Sequence, residues 1–312
     1  MTRIDSQASE EIAASIAGGE LDPAEVARLI RELPSDQLRD LLGDEVLAAA
    51  TDEIIRRFPD YVDVTRTAGV TAAVGFQIIG DRRRERFVVL FDDGRVSAGR
   101  ELDAEPRVTL ELDGADFLRL VTGNADPAMM FLSGRLGLRG DELFAVEMAS
   151  FLSIPGAEGD ARAASALDPG RVDATEIARV VRDAPDDALR AGMRGGIREL
   201  ILEEIFRRFP EYAQGHRIAD LDAVIGFKVT GRADGGADRY RVVIHAGEVH
   251  AGKDLDADPR VTIVCDGADF LRLVTGNSNP VMGFITGKLK IKGDLGFAAQ
   301  IPTLFRIPSP AG

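Results

Sequence analysis

The side chains that could serve as metal ligands or nucleophiles are few in this chain of 312 residues. Its histidines are His216, His245 and His250, and its single cysteine is Cys265. His245, Glu248 and His250 could form a metal cluster, but their spacing matches no standard zinc site. Cys265 lies in an apolar stretch, which favours a small buried residue over a nucleophile. We therefore expect no metal site and no catalytic residue among them.

Sequence motifs for common enzyme chemistry are absent as well. The sequence contains no nucleophile elbow, no P-loop and no dinucleotide-binding fingerprint in the required context. Carboxylate pairs are abundant, but they carry little information in an acidic protein. We therefore expect no cofactor and no enzymatic activity, and the apolar residues become the main candidates for function.

The charge of the chain argues against nucleic acid as a partner and is unevenly distributed. The formal net charge is −14, whereas phosphate binding requires clustered Lys and Arg. Residues 1–154 carry a net charge of −12 and residues 155–312 only −2. All five lysines lie in the second half, at Lys228, Lys253, Lys288, Lys290 and Lys292. Drift of surface residues explains this asymmetry, and the alternative is that the second half is the part that can approach an anionic membrane.

The sequence predicts a soluble, cytoplasmic protein. No apolar run approaches the ~18 residues of a membrane span. The first 21 residues carry four acidic side chains and no continuous apolar stretch, which argues against a secretory signal. With one cysteine, the chain cannot form an internal disulfide.

An internal repeat is the strongest feature of the sequence. The twelve residues at 113–124 return unchanged at 266–277. A repeat with a period of about 150 residues indicates a duplicated domain rather than a solenoid. We therefore predict a first domain with N-terminal helices at 1–154, a linker at 155–172 and a second domain at 173–312.

Each copy is predicted to begin with helices. Asp22 and Asp173 are suitable N-caps, and Pro23 fits the first helical position. A longer helix should end at the Phe58-Pro59 step, and its counterpart at Phe209-Pro210, because the residue before proline avoids the helical region.

Strands follow these helices. Apolar and polar residues alternate along 227–230, which indicates one buried and one exposed sheet face. The residue pairs 93–94 and 246–247 are expected to form hairpin turns. Another strand is expected at 107–112 and again at 260–265.

The last part of each copy combines two helices, a strand and a closing helix. Asp113 should cap the repeated helix, and Gly123 should end it. A short helix begins after Asp126 or Asn279. In the second copy Pro302 should kink or stop the closing helix.

These segments resemble the sterol carrier protein type 2 family. The resemblance covers both copies and is carried by 113–123, 126–134 and 135–141, and by 266–276, 279–287 and 288–294. It implies an α+β fold: two tandem copies of a five-stranded, mainly antiparallel sheet covered on one face by helices. It also implies an apolar tunnel between sheet and helices that holds a fatty acyl chain, a sterol or a related lipid.

Candidate tunnel-lining residues are the apolar side chains of the repeated, short and closing helices. Methionine suits a cavity with varied ligands because it is flexible and polarizable, but ordinary core packing explains the same pattern. The candidates are Phe117, Leu120, Met129, Met130, Phe131, Phe144, Met148, Phe151, Phe270, Leu273, Met282, Phe284, Ile285, Phe297, Ile301, Leu304 and Phe305.

A row of lysines forms a second candidate site. Lys288, Lys290 and Lys292 alternate with Leu289 and Ile291, so the lysines should share one side of the last strand. They are candidates for an anionic headgroup patch, and the alternative is an ordinary solvated strand face.

Three functions remain open on the sequence alone. The leading hypothesis is non-catalytic binding or transfer of an apolar molecule or lipid. The alternative is an interaction or scaffold module with a filled core that docks on a partner enzyme or oligomerises. A weaker third option is an enzyme of unrecognised type, which would require polar groups converging in a pocket.

Overall fold

Two equivalent units follow one another along the chain, and the computed structural model describes residues 23–152, 173–253 and 255–306. Each unit is compact and corresponds to one copy of the repeat. The predicted linker 155–172 and the predicted cap Asp22 lie outside the described residues. The domain boundaries therefore stay a prediction.

The first unit opens with helices and continues with a sheet into which further helices are inserted. Its described elements are helices α1 (Pro23–Glu32), α2 (Ser35–Leu41) and α3 (Asp44–Arg57), strands β1 (Thr71–Ile79), β2 (Arg84–Asp92), β3 (Arg95–Gly99) and β4 (Val108–Asp113), helices α4 (Gly114–Val121) and α5 (Pro127–Leu132), strand β5 (Gly137–Gly140) and helix α6 (Glu142–Ala149). Helix α3 ends before the Phe58-Pro59 step as predicted, but not for the predicted reason. Phe58 keeps helical φ and ψ values of −52° and −43°, and the chain continues into a 3-10 turn at Phe58–Tyr61.

The second unit repeats this order and adds one short helix. Its described elements are helices α7 (Ala174–Asp183), α8 (Asp186–Gly192), α9 (Arg198–Arg208) and α10 (Gly215–Ile218), strands β6 (Ala223–Thr230), β7 (Asp238–His245), β8 (Glu248–Gly252) and β9 (Val261–Asp266), helices α11 (Gly267–Val274) and α12 (Pro280–Ile285), strand β10 (Lys290–Gly293) and helix α13 (Leu295–Leu304). Among the described helices of both units, none is long and apolar enough to cross a membrane.

Each sheet has five strands and one parallel pair at its centre. The strand order is β3-β2-β1-β4-β5 in the first unit and β10-β9-β6-β7-β8 in the second. Strand β4 joins the free side of β1 after the β1–β2–β3 meander, so it runs parallel to β1, with Val74 opposite Val108. All other pairs are antiparallel, which confirms the predicted mainly antiparallel α+β fold.

Burial alternates along β2, β4, β7 and β9 because one sheet face is covered by helices, whereas the central strand β1 is buried at seven consecutive residues. In β4 and β9 every second residue is buried. The covered face holds the apolar core of each unit. The opposite face, which we call the open face, carries the alternate side chains.

The hairpin turns lie where the sequence places them. Asp93 and Gly94 have φ values of 46° and 80°, and Ala246 and Gly247 have values of 49° and 82°. Two consecutive positive φ angles define a type I′ turn, which matches the twist of the flanking strands. Ala246 is unusual in this conformation, because its Cβ is crowded there.

Acidic side chains cap the helices that follow strands. The Asp113 and Asp266 carboxylates accept hydrogen bonds from the backbone N–H groups of Asp116 and Asp269, at 2.7 and 2.8 Å. Asp173 caps α7 in the same way. The capping role predicted from the sequence is confirmed at these positions.

Some predicted details differ from the structure. Strands β4 and β9 begin one residue later than expected, at Val108 and Val261. Strand β10 begins at Lys290, so Lys288 precedes it. Helix α13 continues past Pro302 to Leu304. Pro302 lies in the last turn of the helix, where few helical hydrogen bonds remain that a proline could disrupt.

Candidate functional site: two apolar interiors

The interior of the first unit is an aromatic layer between sheet and helices. Phe76 of β1 and Phe87 of β2 stack with ring centroids 4.5 Å apart. Phe117 of α4 meets both rings edge-on, at 6.3 and 6.0 Å. Phe151 packs in the same manner on Phe91 at 5.7 Å. This interior offers van der Waals contact to an apolar group.

The interior of the second unit is built on the same plan, but some of its rings lie at other positions. Phe206 of α9 stacks on Tyr240 of β7 at 4.1 Å, and also contacts Phe227 at 5.4 Å and Phe270 at 5.5 Å. The repeat places Ile55 of the first copy at the position of Phe206. The two interiors therefore differ in shape.

Tyr240 brings a polar atom into the second interior. Its side chain is 2 % exposed, and its hydroxyl has no hydrogen-bond partner among the described residues. Burial raises the pKa of Tyr240, and the nearby carboxylates of Glu203 and Asp238 raise it further. The first copy has Phe87 at this position. The hydroxyl is therefore a feature of the second copy alone.

A buried ion pair borders the second interior. Arg198 at the start of α9 is 4 % exposed, and its Nε donates to Asp238 Oδ2 at 2.7 Å. Its two Nη atoms donate to the carbonyl oxygens of Met193, Val229 and Thr230. The guanidinium thus connects α9 to the end of β6 and the start of β7.

In the first copy, the acid equivalent to Asp238 is paired with an arginine from a different element. Glu85 is 9 % exposed and forms an ion pair with Arg100, which follows β3 and also binds Asp52 at 2.7 Å. Leu47 takes the position of Arg198. Both copies thus keep an acid at the start of the second strand but neutralise it from different elements.

Glycine at the start of α4 and α11 allows close helix packing. A Cβ on Gly267 would lie 2.6 Å from Met193 Cβ, and a Cβ on Gly114 would lie 2.9 Å from a methyl group of Leu47. A larger residue at Gly267 would require the Met193 backbone to move, whereas at Gly114 the end of the Leu47 side chain would have to shift. This contact gives a structural reason for glycine in the repeated helix motif.

Most of the predicted lining residues come together in these two interiors. Phe117, Met130, Phe144, Met148 and Phe151 are buried in the first core, and Leu120 packs against it. Those in the second core are Phe270, Leu273, Phe297, Leu304 and Phe305, with Ile301 packed against it. Met129 is also buried and Phe131 is half-buried, but neither packs in one of these two cores. The lining of a tunnel by these residues stays a prediction.

The sequence predicted that the short helix α12 of the second unit lines the interior, but its apolar side chains are exposed. Met282, Phe284 and Ile285 are 54 %, 46 % and 68 % exposed. The buried residue of α12 is Gly283, where an added Cβ would lie 2.9 Å from the Leu289 side chain. Because glycine faces the core, the apolar side chains beside it point outward.

The three predicted headgroup lysines do not form one row. Lys290 and Lys292 lie on the open face of β10, opposite Val264 and Thr262 of β9. Lys288 lies before the strand, and its Nζ is 3.6 Å from Asp269 Oδ1. All three side chains are exposed. Their predicted contact with anionic headgroups stays a prediction.

The three histidines lie on the surface, and Cys265 lies in the core. His245 Nδ1 lies 2.7 Å from Asp222 Oδ1, and both side chains are exposed. No set of three potential metal ligands comes together within the described ranges. Burial raises the pKa of Cys265 to about 12, so its thiol is protonated at neutral pH.

Three residues that shape the second interior were not among the predicted site residues. Phe206 lies in the repeated segment that ends at the Phe-Pro step, and Tyr240 lies on an alternating strand, so apolar periodicity could have identified both. Arg198 carries no such signal, because an arginine at the start of a helix is normally exposed.

Comparisons with known proteins agree on one family. The sequence matches the SCP-2 sterol transfer family at residues 52–153 and 202–306. Sterol carrier protein 2 of Rattus norvegicus is 30 % identical over 112 residues, which cover 36 % of this chain and 20 % of that protein. Hydroxysteroid dehydrogenase-like protein 2 of Mus musculus is 32 % identical over 104 residues, covering 33 % and 21 %. The chain thus spans about a fifth of the length of these curated relatives.

Two solved structures of similar proteins each match about a third of the chain. The apo form of sterol carrier protein 2 from Yarrowia lipolytica is 24 % identical with a TM-score of 0.30, and the match covers 35 % of this chain and 90 % of that one. The sterol carrier protein domain 2 of Helicoverpa armigera is 25 % identical with a TM-score of 0.29, covering 36 % and 87 %. Both copies of the repeat match the family description, and the chain belongs to the SCP-2 sterol transfer family.

Proposed function

We propose that the chain binds and carries lipids without catalysing a reaction, with one apolar site per copy. The observation that carries this proposal is the presence of two interiors built from aromatic, aliphatic and methionine side chains in a member of a sterol transfer family. The ligand class is a fatty acyl chain, a sterol or a related apolar molecule. The site is a tunnel between each sheet and its helices.

Burial of a lipid supplies enough free energy without any charged contact. A chain of ~15 methylenes gains ~0.8 kcal/mol for each one buried, or ~12 kcal/mol in total. Loss of translational and rotational freedom costs ~4 kcal/mol or more. The remainder is at most ~8 kcal/mol, which corresponds to about micromolar binding, so a carrier needs no polar constellation in these interiors.

The two copies should select different lipids. The second interior contains Phe206 and the unpartnered Tyr240 hydroxyl, where the first contains Ile55 and Phe87. A buried hydroxyl without a partner is costly, and a ligand hydroxyl or carboxyl can satisfy it. The second copy should therefore prefer lipids with one polar end, whereas the first should accept hydrocarbon.

Native mass spectrometry of the protein purified from cells tests the carrier proposal. Leu120 and Leu273 are equivalent positions at the two cores, so Leu120→Trp should fill the first site and Leu273→Trp the second. We expect one or two bound lipids per chain, and the loss of one species in each folded variant. Leu200→Trp is the control, because Leu200 is 39 % exposed on α9.

The opposite result would favour the scaffold alternative. A bare mass, together with no uptake of a fluorescent fatty acid by correctly folded protein, would mean that side chains fill both interiors. Far-UV circular dichroism must accompany each variant, since overpacking a core costs ~1–3 kcal/mol.

A further inference from the structure

Tyr240 places a polar atom inside the second core that the packing does not require. Its side chain is 2 % exposed, and its hydroxyl has no hydrogen-bond partner among the described residues. The ring stacks on Phe206 at 4.1 Å, and the first copy packs the same position with Phe87. A buried hydroxyl without a partner destabilises a core, so it points to a ligand that carries a hydrogen-bonding group.

Tyr240 lies at a polar end of the second interior. Asp238 precedes it by two residues on β7, so the two side chains face the core ~7 Å apart along the strand. Arg198 binds Asp238, which lies opposite Val229 of β6, and Val229 lies opposite Cys265 of β9. A guanidinium, a carboxylate, a phenol and a thiol therefore gather at one end of the covered face of the sheet.

The first copy has apolar side chains at three of these four positions. Leu47, Phe87 and Leu112 replace the arginine, the tyrosine and the cysteine. The acid remains as Glu85, which is paired with Arg100. The polar end is thus a property of the second copy.

The cations near Tyr240 are already engaged by the protein itself. Arg198 donates from Nε to Asp238, and its two Nη atoms donate to backbone carbonyl oxygens. Lys253 Nζ lies 5.6 Å from the centroid of the Tyr240 ring and is paired with Glu199. Neither side chain is therefore free to neutralise an anionic ligand group.

The electrostatic surroundings of the Tyr240 hydroxyl are negative on balance. Burial raises the pKa of Tyr240, and three carboxylates raise it further, those of Glu203, Asp238 and Glu199. Arg198 lowers the pKa of Tyr240, but by less than any of these groups raises it. Arg232 Nη1 also lies 3.2 Å from Asp238, but its Nη2 is 2.8 Å from Asp234. An ionised ligand group would be buried here without a free counterion, whereas a neutral hydroxyl carries no such cost.

We propose that Tyr240 makes the second copy selective for a lipid that ends in an uncharged hydroxyl, such as a long-chain alcohol, over a lipid that ends in an ionised carboxylate. The Tyr240 hydroxyl donates a hydrogen bond to the ligand oxygen, and the hydrocarbon lies among the aromatic side chains of the core. This selectivity rests on the proposed function, since it requires a lipid in the second interior. A hydrocarbon without oxygen would leave the hydroxyl unpaired, and a carboxylate would add an unpaired charge.

Native mass spectrometry of the delipidated full chain tests this selectivity. The probes are equal concentrations of 1-hexadecanol and palmitate at pH 8, where a carboxyl group is ionised. The Leu120→Trp background fills the first site, so that the second site alone reports. It should take up mainly hexadecanol. Tyr240→Phe should lower the ratio of bound hexadecanol to bound palmitate about fivefold, the equivalent of ~1 kcal/mol for one hydrogen bond.

Two controls assign the effect to the second interior. In the Leu273→Trp background only the first site is open, and Tyr240→Phe should leave the ratio unchanged. Tyr212→Phe removes a tyrosine hydroxyl from the same unit, but Tyr212 is half-buried outside the second core, so the ratio should again stay unchanged. Tyr240→Phe should also raise the urea midpoint of the lipid-free chain, because it removes a buried hydroxyl that has no partner.

The outcomes separate this selectivity from the carrier function. If the second site binds palmitate as well as hexadecanol, or if Tyr240→Phe leaves the ratio unchanged, the selectivity is wrong and the carrier function stands. A lower urea midpoint for lipid-free Tyr240→Phe would also overturn the selectivity, because the hydroxyl would then already have a stabilising partner. A folded wild-type chain that binds neither lipid would overturn the proposed function and the selectivity together.

Discussion

Replacement of Arg198 by leucine should destabilise the second unit selectively. Leucine is the residue of the first copy at this position, so Arg198→Leu introduces a side chain that the fold already accommodates. The substitution removes the donor that neutralises Asp238, which is 8 % exposed. It also leaves three backbone carbonyl groups without a donor from this side chain.

The expected loss follows from the burial of the acid. Removing one partner of a buried ion pair costs ~3–5 kcal/mol, because the other charge remains buried. Arg232 Nη1 stays 3.2 Å from Asp238 Oδ1 and offsets part of this cost. We therefore expect a loss of ~3 kcal/mol in the free energy of unfolding, a large part of the ~5–15 kcal/mol typical of a domain.

Urea denaturation and hydrogen exchange measure this loss. Peptides from 198–245 should exchange faster in Arg198→Leu, while those from 47–92 should keep the wild-type rate. Arg100→Leu is the matched control in the first copy. Arg100 is 34 % exposed, so its pair with Glu85 is closer to a surface ion pair, and the loss should be ~1 kcal/mol.

A double variant separates the charge from the packing. Asp238→Asn in the Arg198→Leu background removes the stranded carboxylate and should restore ~2 kcal/mol. A loss below ~1 kcal/mol in Arg198→Leu alone would refute the reasoning, because Asp238 would then have found solvent or another cation. A double variant less stable than Arg198→Leu would show that Asp238 stabilises the fold by other contacts.

Other predictions follow from turn geometry and from the pKa shifts. Ala246→Asn should raise the stability of the second unit by ~1 kcal/mol, because asparagine tolerates the positive φ better than alanine; an unchanged urea midpoint would contradict this. Cys265 should resist alkylation by iodoacetamide at pH 8 in the native state and react fully in urea, since burial raises its pKa to about 12; rapid native alkylation would contradict its burial. The Arg207 hydrogen bond lowers the pKa of Glu204 below its ordinary value of 4.5, so its stabilising contribution is complete above pH 4.5 and is lost as pH falls through the lowered pKa. Glu204→Gln should flatten the pH dependence of stability in that acidic range, and an unaltered profile would contradict the assignment.

Local sequence patterns predicted most of the backbone. Helices α3 and α9 end at the Phe-Pro step, where proline lacks a backbone N–H, and Asp113 and Asp266 cap later helices, because these signals act within a few residues. Alternation along the strands predicted which side chains face the core. Long-range pairing was harder to predict, and the parallel contact between β1 and β4 has no local signal.

Placement of the site residues was only partly predictable. Phe117 and Phe270 are central in both interiors, as expected from a helical apolar stripe. Met282 and Phe284 lie on a helix with the same apolar composition but are exposed. The difference depends on which residue of a short helix faces the core, and in α12 that residue is Gly283.

The sequence by itself determined the duplication, the type of most elements and the apolar character of both interiors. These properties depend on periodicity and on contacts between near neighbours in the chain. Only the tertiary structure decided that Arg198 and Asp238 form a buried pair, that the Tyr240 hydroxyl lacks a partner and that the second sheet carries its cations on the open face. The physical reason is that strand register and helix packing bring together residues 40 or more positions apart.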